Sequence, residues 1–191
     1  MLAGGAGTRF GGGKLTARWH GGALIDGALQ AAFAAPVRSV TIITGADRAV
    51  DDAARRFAER LDEAARLRVV HCPGHAEGMG ATLRTGIASL PADTRGAFVF
   101  LGDMPRVPAA ILPALAAAIA AGAAAAAAPQ CGGQRGHPVL FSASLFPELR
   151  ALTGDEGARS VLRGLRDRLA LVRTDDPGVL FDVDRRDDLA G

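Results

Sequence analysis

Short runs of β-branched and aromatic residues alternate along this chain with longer amphipathic segments. Four runs predict strands at 39–44, 67–71, 97–101 and 169–173, and two weaker runs lie at 138–141 and 179–183. Apolar residues at helical spacing predict helices over 26–33, 50–67, 79–89, 108–121 and 157–168. This alternation predicts an α/β fold with a Rossmann-like, open and mainly parallel sheet flanked by helices. We expect a single domain over residues 1–191, because no linker or repeat interrupts the pattern.

One stretch, 107–134, carries no charge and is mostly alanine. It is long enough to span a bilayer. However, alanine adds little insertion energy, and the stretch is interrupted by Pro108, Pro113, Gly122 and Pro129. We therefore expect a surface helix that ends near Gly122, and no membrane partner.

Composition excludes some functional classes. The 191 residues include 22 Lys and Arg against 20 Asp and Glu, so the net charge of +2 gives no support for binding nucleic acid. The two cysteines, Cys72 and Cys131, are too few for a disulfide framework, and no apolar leader opens the sequence, so we expect a cytoplasmic protein. Of the 22 basic residues only Lys14 is a lysine, which favours a site that needs a compact ammonium.

The first residues form a glycine-rich segment, LAGGAGTRFGGGK at 2–14. A P-loop is excluded because Leu15 follows Lys14, and the dinucleotide fingerprint fails because Phe10 stands at its third glycine. Glycines still allow backbone N–H groups to approach an anion closely. In open α/β sheets, ligands bind beyond the carboxyl ends of the strands. The segment therefore predicts a phosphate-binding loop of another type.

This segment resembles the nucleotidyltransferase signature L-A-x-G-x-S/T-x-R-M-G-x-x-K. Five later segments, in order, resemble those of the molybdenum cofactor cytidylyltransferases: GMGATLRTG, LGDMPRV, RGHPVLF, GDEGAR and DVDRRDDL. The resemblance to these molybdopterin nucleotidyltransferases implies a fold of the nucleotide-diphospho-sugar transferase type. It implies transfer of CMP from CTP to molybdenum cofactor with release of pyrophosphate, Mg²⁺ as the metal, and a recipient molybdoenzyme as a further partner.

The resemblance also implies roles for individual residues. The catalytic residues would be Arg9, Lys14 and Asp103. The nucleotide-binding residues would be Ala3, Gly4, Gly5, Gly7, Gly80, Ala81 and Thr82. The residues facing the pterin acceptor would be Arg135, His137, Asp155 and Arg159.

The metal ligands would be Asp103, Asp184 and Asp182. Asp103 follows an apolar strand run, where a carboxylate suits Mg²⁺, although it could instead cap a helix. Asp182 and Asp184 are two apart on an extended segment, so their side chains leave from one face. We expect Asp187 and Asp188 to be solvated residues at a helix start.

Several departures from the family pattern leave the substrate open. The first strand of this fold normally precedes LAGG, so we expect that strand to be truncated. RRDD at 185–188 replaces T-P-E-D and loses a proline that sets a turn. LAGG is typical of guanylyltransferases, so GTP is a second candidate donor beside CTP. A sugar-phosphate nucleotidyltransferase and a non-catalytic nucleotide-binding delivery protein are also compatible with the sequence.

Overall fold

A computed structural model describes residues 1–5, 7, 10–45, 47–155 and 157–190. Its strands are β1 (Leu2–Ala3), β2 (Arg18–Trp19), β3 (Gly22–Ala23), β4 (Val40–Thr44), β5 (Leu67–His71), β6 (Gly96–Val99), β7 (Ala126–Cys131), β8 (Gln134–Arg135), β9 (Val139–Ser142) and β10 (Leu169–Arg173). Its α-helices are α1 (Leu24–Ala34), α2 (Arg48–Arg60), α3 (Met79–Ala88), α4 (Ile111–Ala120), α5 (Phe146–Arg150) and α6 (Arg159–Gly164).

The main strands form two ladders that meet at β1. In the first ladder β1, β4 and β5 are parallel, and in the second the order is β10-β7-β9-β6. A parallel bridge between Leu2 and Leu101 joins the two ladders. In the second ladder β10 runs parallel to β7, while β9 runs antiparallel to both β6 and β7. The predicted α/β fold, a mainly parallel sheet flanked by helices, is confirmed.

Local capping and turn residues set the ends of the helices. Periodicity alone overestimates the length of two of them. Asp47 accepts a hydrogen bond from the Ala49 N–H at the start of α2, as an N-cap does. This helix ends at Arg60 rather than at residue 67, because Asp62 takes a positive φ of 57° and turns the backbone. The last predicted helix is likewise shorter, at Arg159–Gly164, and residues 179–183 do not form the weaker predicted strand.

The helix predicted in the first half of the alanine-rich stretch ends near Gly122 as expected, whereas the second half forms a strand that was not predicted. Helix α4 occupies the first half, and Gly122 follows it with a φ of 86°. The alanines after Gly122 form the buried strand β7, which pairs with both β9 and β10. Pairing and burial between layers outweigh the intrinsic preference of alanine for helix. None of the described helices is long and apolar enough to cross a bilayer.

Strand β1 is only two residues long, and a cavity of about 720 Å³ lies at its amino-terminal end. The cavity opens between the first residues of β4 and β6 and is lined by Met1, Ser39, Thr41 and Phe98 among others. Among the described residues, β6 has β9 as its only ladder partner, so its other edge faces this slot. The short first strand thus leaves a gap at the edge of the sheet opposite the carboxyl ends of the parallel strands.

Candidate active site

The carboxyl ends of β1 and β4, and the residues after β6, meet at one edge of the sheet. The Gly102 N–H donates to the Leu2 carbonyl at 2.9 Å, which places Asp103 directly beyond β1. A side chain at Gly45 would come within 2.5 Å of the Gly4 carbonyl oxygen, so the two loops are too close for any other residue there. This close approach brings the glycine-rich loop and Asp103 to the same edge.

Three carboxylates converge at this edge. Asp103, Asp182 and Asp184 each offer an oxygen, and these oxygens lie within 4.8 Å of one another. Lys14 Nζ lies 2.8 Å from Asp103 Oδ2 and 3.5 Å from Asp184 Oδ1. The structure therefore brings together the three predicted metal ligands and the predicted catalytic lysine.

We call Asp103, Asp182 and Asp184 the acidic cluster. Its charges favour a bound cation. Burial raises the pKa of Asp182, and the charges of Asp103 and Asp184 raise it further, while Lys14 acts in the opposite direction. Oxygen donors grouped in this way are those that a hard divalent cation prefers. The cluster could therefore hold a divalent metal.

The glycine-rich loop packs against Lys14. Gly7 has a φ of 57°, and a side chain on it would lie 3.1 Å from Lys14 Cβ. The Gly7 carbonyl accepts hydrogen bonds from the N–H groups of Phe10 at 3.0 Å and Gly12 at 3.2 Å. Gly5 is exposed beside this turn. Arg9, the other predicted catalytic cation, lies outside the described residues.

A second glycine-rich loop packs against the first. Gly80, Ala81 and Thr82 lie buried in the first turn of α3. A side chain on Gly4 would lie 2.9 Å from Thr82 Oγ1. Ala3 is buried at the end of β1, directly before Gly4. The structure thus brings the end of β1 and the first turn of α3 into contact at Gly4 and Thr82.

His137 is the most buried of the four predicted acceptor residues. The backbone N–H of His137 donates to the Val179 carbonyl at 2.9 Å. The Nδ1 atom of its imidazole is buried and has no hydrogen-bond partner among the described residues. Burial lowers the pKa of His137 to about 4, against the opposing effects of the Val99 backbone and of the Asp103 charge. The imidazole is therefore neutral at physiological pH and keeps a free nitrogen near the acidic cluster.

The other three predicted acceptor residues are exposed. Asp155 lies against Gly78, at the start of the loop that leads into α3. Arg135 lies on β8, and Arg159 begins α6. Both of these arginines act electrostatically on His137, where each lowers its pKa slightly. The structure thus brings Arg135 and Arg159 within electrostatic reach of His137 and places Asp155 beside the start of α3.

Asp188 lies in the first turn of a short 3-10 helix, Arg186–Ala190, as expected, and it also makes two hydrogen bonds that the sequence does not predict. Its Oδ2 accepts hydrogen bonds from the N–H groups of Asp184 at 2.9 Å and Arg185 at 2.7 Å. These two bonds, that of Arg185 first, lower the pKa of Asp188. The sequence signal for this turn is an aspartate four residues after Asp184. The turn fixes the backbone at the segment RRDD, which lacks the proline of the family pattern.

Comparisons with known proteins identify the family of this chain. The family model described as the MobA-like NTP transferase domain matches residues 1–171. The purine catabolism protein PucB of Bacillus subtilis (strain 168) is 31% identical over 117 residues, which cover 59% of this chain and 55% of PucB. The chain therefore spans just over half the length of that relative.

Solved structures share the whole architecture. Rv0371c from Mycobacterium tuberculosis H37Rv is 28% identical, with a TM-score of 0.80 over 99% of this chain and 93% of that one. Rv0371C has also been solved in complex with manganese, with a TM-score of 0.77, 25% identity and coverage of 99% and 93%. Molybdopterin-guanine dinucleotide biosynthesis protein A from Archaeoglobus fulgidus, at 20% identity, has the same fold, with a TM-score of 0.62 and coverage of 99% and 93%.

Proposed function

Because the chain belongs to the MobA-like NTP transferase domain family, we propose that it transfers CMP from CTP to molybdenum cofactor and releases pyrophosphate. The observation that carries this proposal is the meeting of Asp103, Asp182, Asp184 and Lys14 beside the glycine-rich loop. Carboxylates, a lysine and backbone N–H groups at one sheet edge suit a reaction that brings polyanions together.

The proposed step is a substitution at phosphorus. An oxygen of the terminal phosphate of the cofactor attacks the α-phosphorus of CTP, and the bond between the α-phosphorus and the bridging oxygen to the β-phosphate breaks. That oxygen leaves with its electron pair as part of pyrophosphate. Lys14 and Arg9 would stabilise the charge on this leaving group, because charge-assisted hydrogen bonds strengthen as the charge develops.

The acidic cluster would hold Mg²⁺. A divalent ion bound by Asp103, Asp182 and Asp184 would supply positive charge that offsets the charge of the nucleotide phosphates. The manganese complex of Rv0371C supports a divalent metal in this fold. Gly4, Gly5 and Gly7 would donate backbone N–H groups to the phosphates, and Ala3, Gly80, Ala81 and Thr82 would contact the nucleoside.

The pterin acceptor would lie against Arg135, His137, Asp155 and Arg159. His137 would be neutral there, and it would add no charge beside the pterin. The two arginines would offer guanidinium groups to the phosphate of the acceptor. A recipient molybdoenzyme would then take the product.

The choice of CTP rests on the segment GMGATLRTG, while LAGG favours GTP as the second candidate donor. Assays of pyrophosphate release from CTP, GTP, ATP and UTP, with Mg²⁺ and with or without molybdenum cofactor, test both. We expect release with CTP only when the cofactor is present. A preference for GTP would replace the cytidylyl assignment with a guanylyl one. No release with any nucleotide would contradict a transferase activity on this acceptor.

The substitution Asp103→Asn tests the acidic cluster. It removes one carboxylate charge at a metal ligand, so we expect pyrophosphate release to fall by about 100-fold or more. Asp52→Asn is the matched control, because Asp52 is exposed on α2 and distant in sequence from the site. Equal rates for the wild-type protein and Asp103→Asn would exclude Asp103 as a ligand.

A further inference from the structure

Asp184 lies on a segment that needs outside contacts to hold its shape. We define the C-terminal strap as residues 179–189, of which 181–184 follow irregular backbone. Val183 is fully buried, and its N–H donates to the Asp103 carbonyl at 3.0 Å. This hydrogen bond joins the strap to the backbone of Asp103, a member of the acidic cluster.

The strap then turns around Asp188. Since one oxygen of Asp188 accepts from both the Asp184 and Arg185 N–H groups, the backbone at Asp184 is fixed from the C-terminal side as well. The turn also sets the direction of the next side chain, Arg186.

Arg186 reaches from this turn to the glycine-rich loop. Its Nε donates to the Phe10 carbonyl at 3.2 Å, and its guanidinium lies 4.9 Å from the centre of the Phe10 ring. Both contacts fall on the same residue, one to the backbone and one to the side chain. Charged hydrogen bonds and cation–π contacts are each favourable at partly buried sites.

Phe10 is the apolar anchor of the glycine-rich loop. It is 3% exposed and packs with Trp19, Leu24 and Val183. The residues after it, Gly11–Gly13, are exposed glycines with positive φ angles between 62° and 89°. Glycines lose more backbone freedom than other residues when a loop becomes ordered, so ordering this loop on binding a nucleotide is costly.

We propose that Arg186 is a positioning residue, oriented by Asp188, that fixes the glycine-rich loop against the strap and thereby sets the affinity for the nucleoside triphosphate. The proposal rests on the proposed function, because the loop is taken to bind the triphosphate. Arg186 orders the loop before binding, so less conformational freedom is lost when the phosphates arrive. Its two contacts described above are both with Phe10, so it acts through that residue.

Arg186→Ala tests this proposal by binding and by kinetics. Without acceptor, we expect the Kd for CTP and for GTP with Mg²⁺, measured by calorimetry, to rise about fivefold to tenfold. With acceptor, we expect KM for the triphosphate to rise by a similar factor while kcat stays within about twofold. Arg186→Lys keeps a cation near the ring and should restore part of the affinity.

Arg185→Ala is the matched control, since it removes the same charge from the neighbouring position and keeps the N–H that Asp188 accepts. We expect its Kd to stay near that of the wild-type protein. If Arg185→Ala and Arg186→Ala lost equal affinity for the triphosphate, the loss would come from the missing positive charge alone. That result would overturn the proposal. Asp188→Asn, which weakens the turn without touching Arg186, should raise Kd in the same direction.

Amide hydrogen exchange separates this proposal from the proposed function. We expect the amides of Phe10 and Gly12 to exchange faster in Arg186→Ala than in the wild-type protein and Arg185→Ala, with no nucleotide present. Unchanged exchange would overturn the positioning role even if the protein is a transferase. If no triphosphate binds the wild-type protein, the proposed function fails and the link to affinity fails with it, whereas exchange still reports whether Arg186 orders the loop.

Discussion

Lys14 shares its ammonium between two carboxylates of the acidic cluster. Its side chain is 12% exposed, so water screens these contacts only partly. A divalent cation at the same oxygens has to compete with this ammonium. Lys14 therefore weakens metal binding in the free protein, although the proposed reaction needs its charge.

Removing the charge of Lys14 should separate these two effects. For Lys14→Met we expect affinity for Mn²⁺ without nucleotide to rise about fivefold, while pyrophosphate release falls by about 100-fold. Free Mn²⁺ measured by electron paramagnetic resonance gives the affinity. Lys14→Arg, which keeps the charge, should bind Mn²⁺ like the wild-type protein. Weaker Mn²⁺ binding by Lys14→Met would show that the lysine supports the cluster rather than competing with the metal.

The positions of individual site residues were partly predictable. Asp103 follows a strand, and Asp182 and Asp184 alternate on an extended segment, so their convergence with Lys14 at one sheet edge could be expected. The two hydrogen bonds that Asp188 accepts could not be predicted, because the sequence does not show which N–H groups lie beside its carboxylate. The unpaired Nδ1 of His137 could not be predicted either, since its burial depends on distant segments of the chain.

At the scale of elements, strand β7 shows where local preference fails. Ala126, Ala127 and Ala128 are fully buried, and the strand pairs with β9 and β10. Small side chains let helices and strands pack closely there. The sequence shows only a run of alanines, which favours helix in isolation, and the partners that make it a strand lie in other segments of the chain.

Adding volume to β7 should therefore be costly. For Ala127→Val we expect the free energy of unfolding to fall by about 1–3 kcal/mol, because two extra methyl groups must fit a fully packed position. Ala117→Val on the exposed face of α4 is the control, and its expected cost is about 0.5 kcal/mol. Urea unfolding measures both. A cost for Ala127→Val no larger than that of the control would contradict close packing around β7.

For the whole molecule, strand–helix alternation predicted the class of fold but not the strand order. Short antiparallel partners such as β9 carry no signal that distinguishes them from parallel strands, and the bridge between Leu2 and Leu101 depends on contacts across the sheet. The cavity between β4 and β6 lies at the start of the two-residue strand β1. That cavity lies away from the acidic cluster, so the gap in the sheet leaves the site intact.

The contact between Arg186 and Phe10 spans 176 positions of the chain. Contacts between distant positions close large loops and form late in folding. During synthesis the glycine-rich loop leaves the ribosome long before the strap that carries Asp182, Asp184 and Arg186. The nascent chain can pair β1, β4 and β5 before it can complete its acidic cluster, so metal and nucleotide meet a finished site only after the strap has been made.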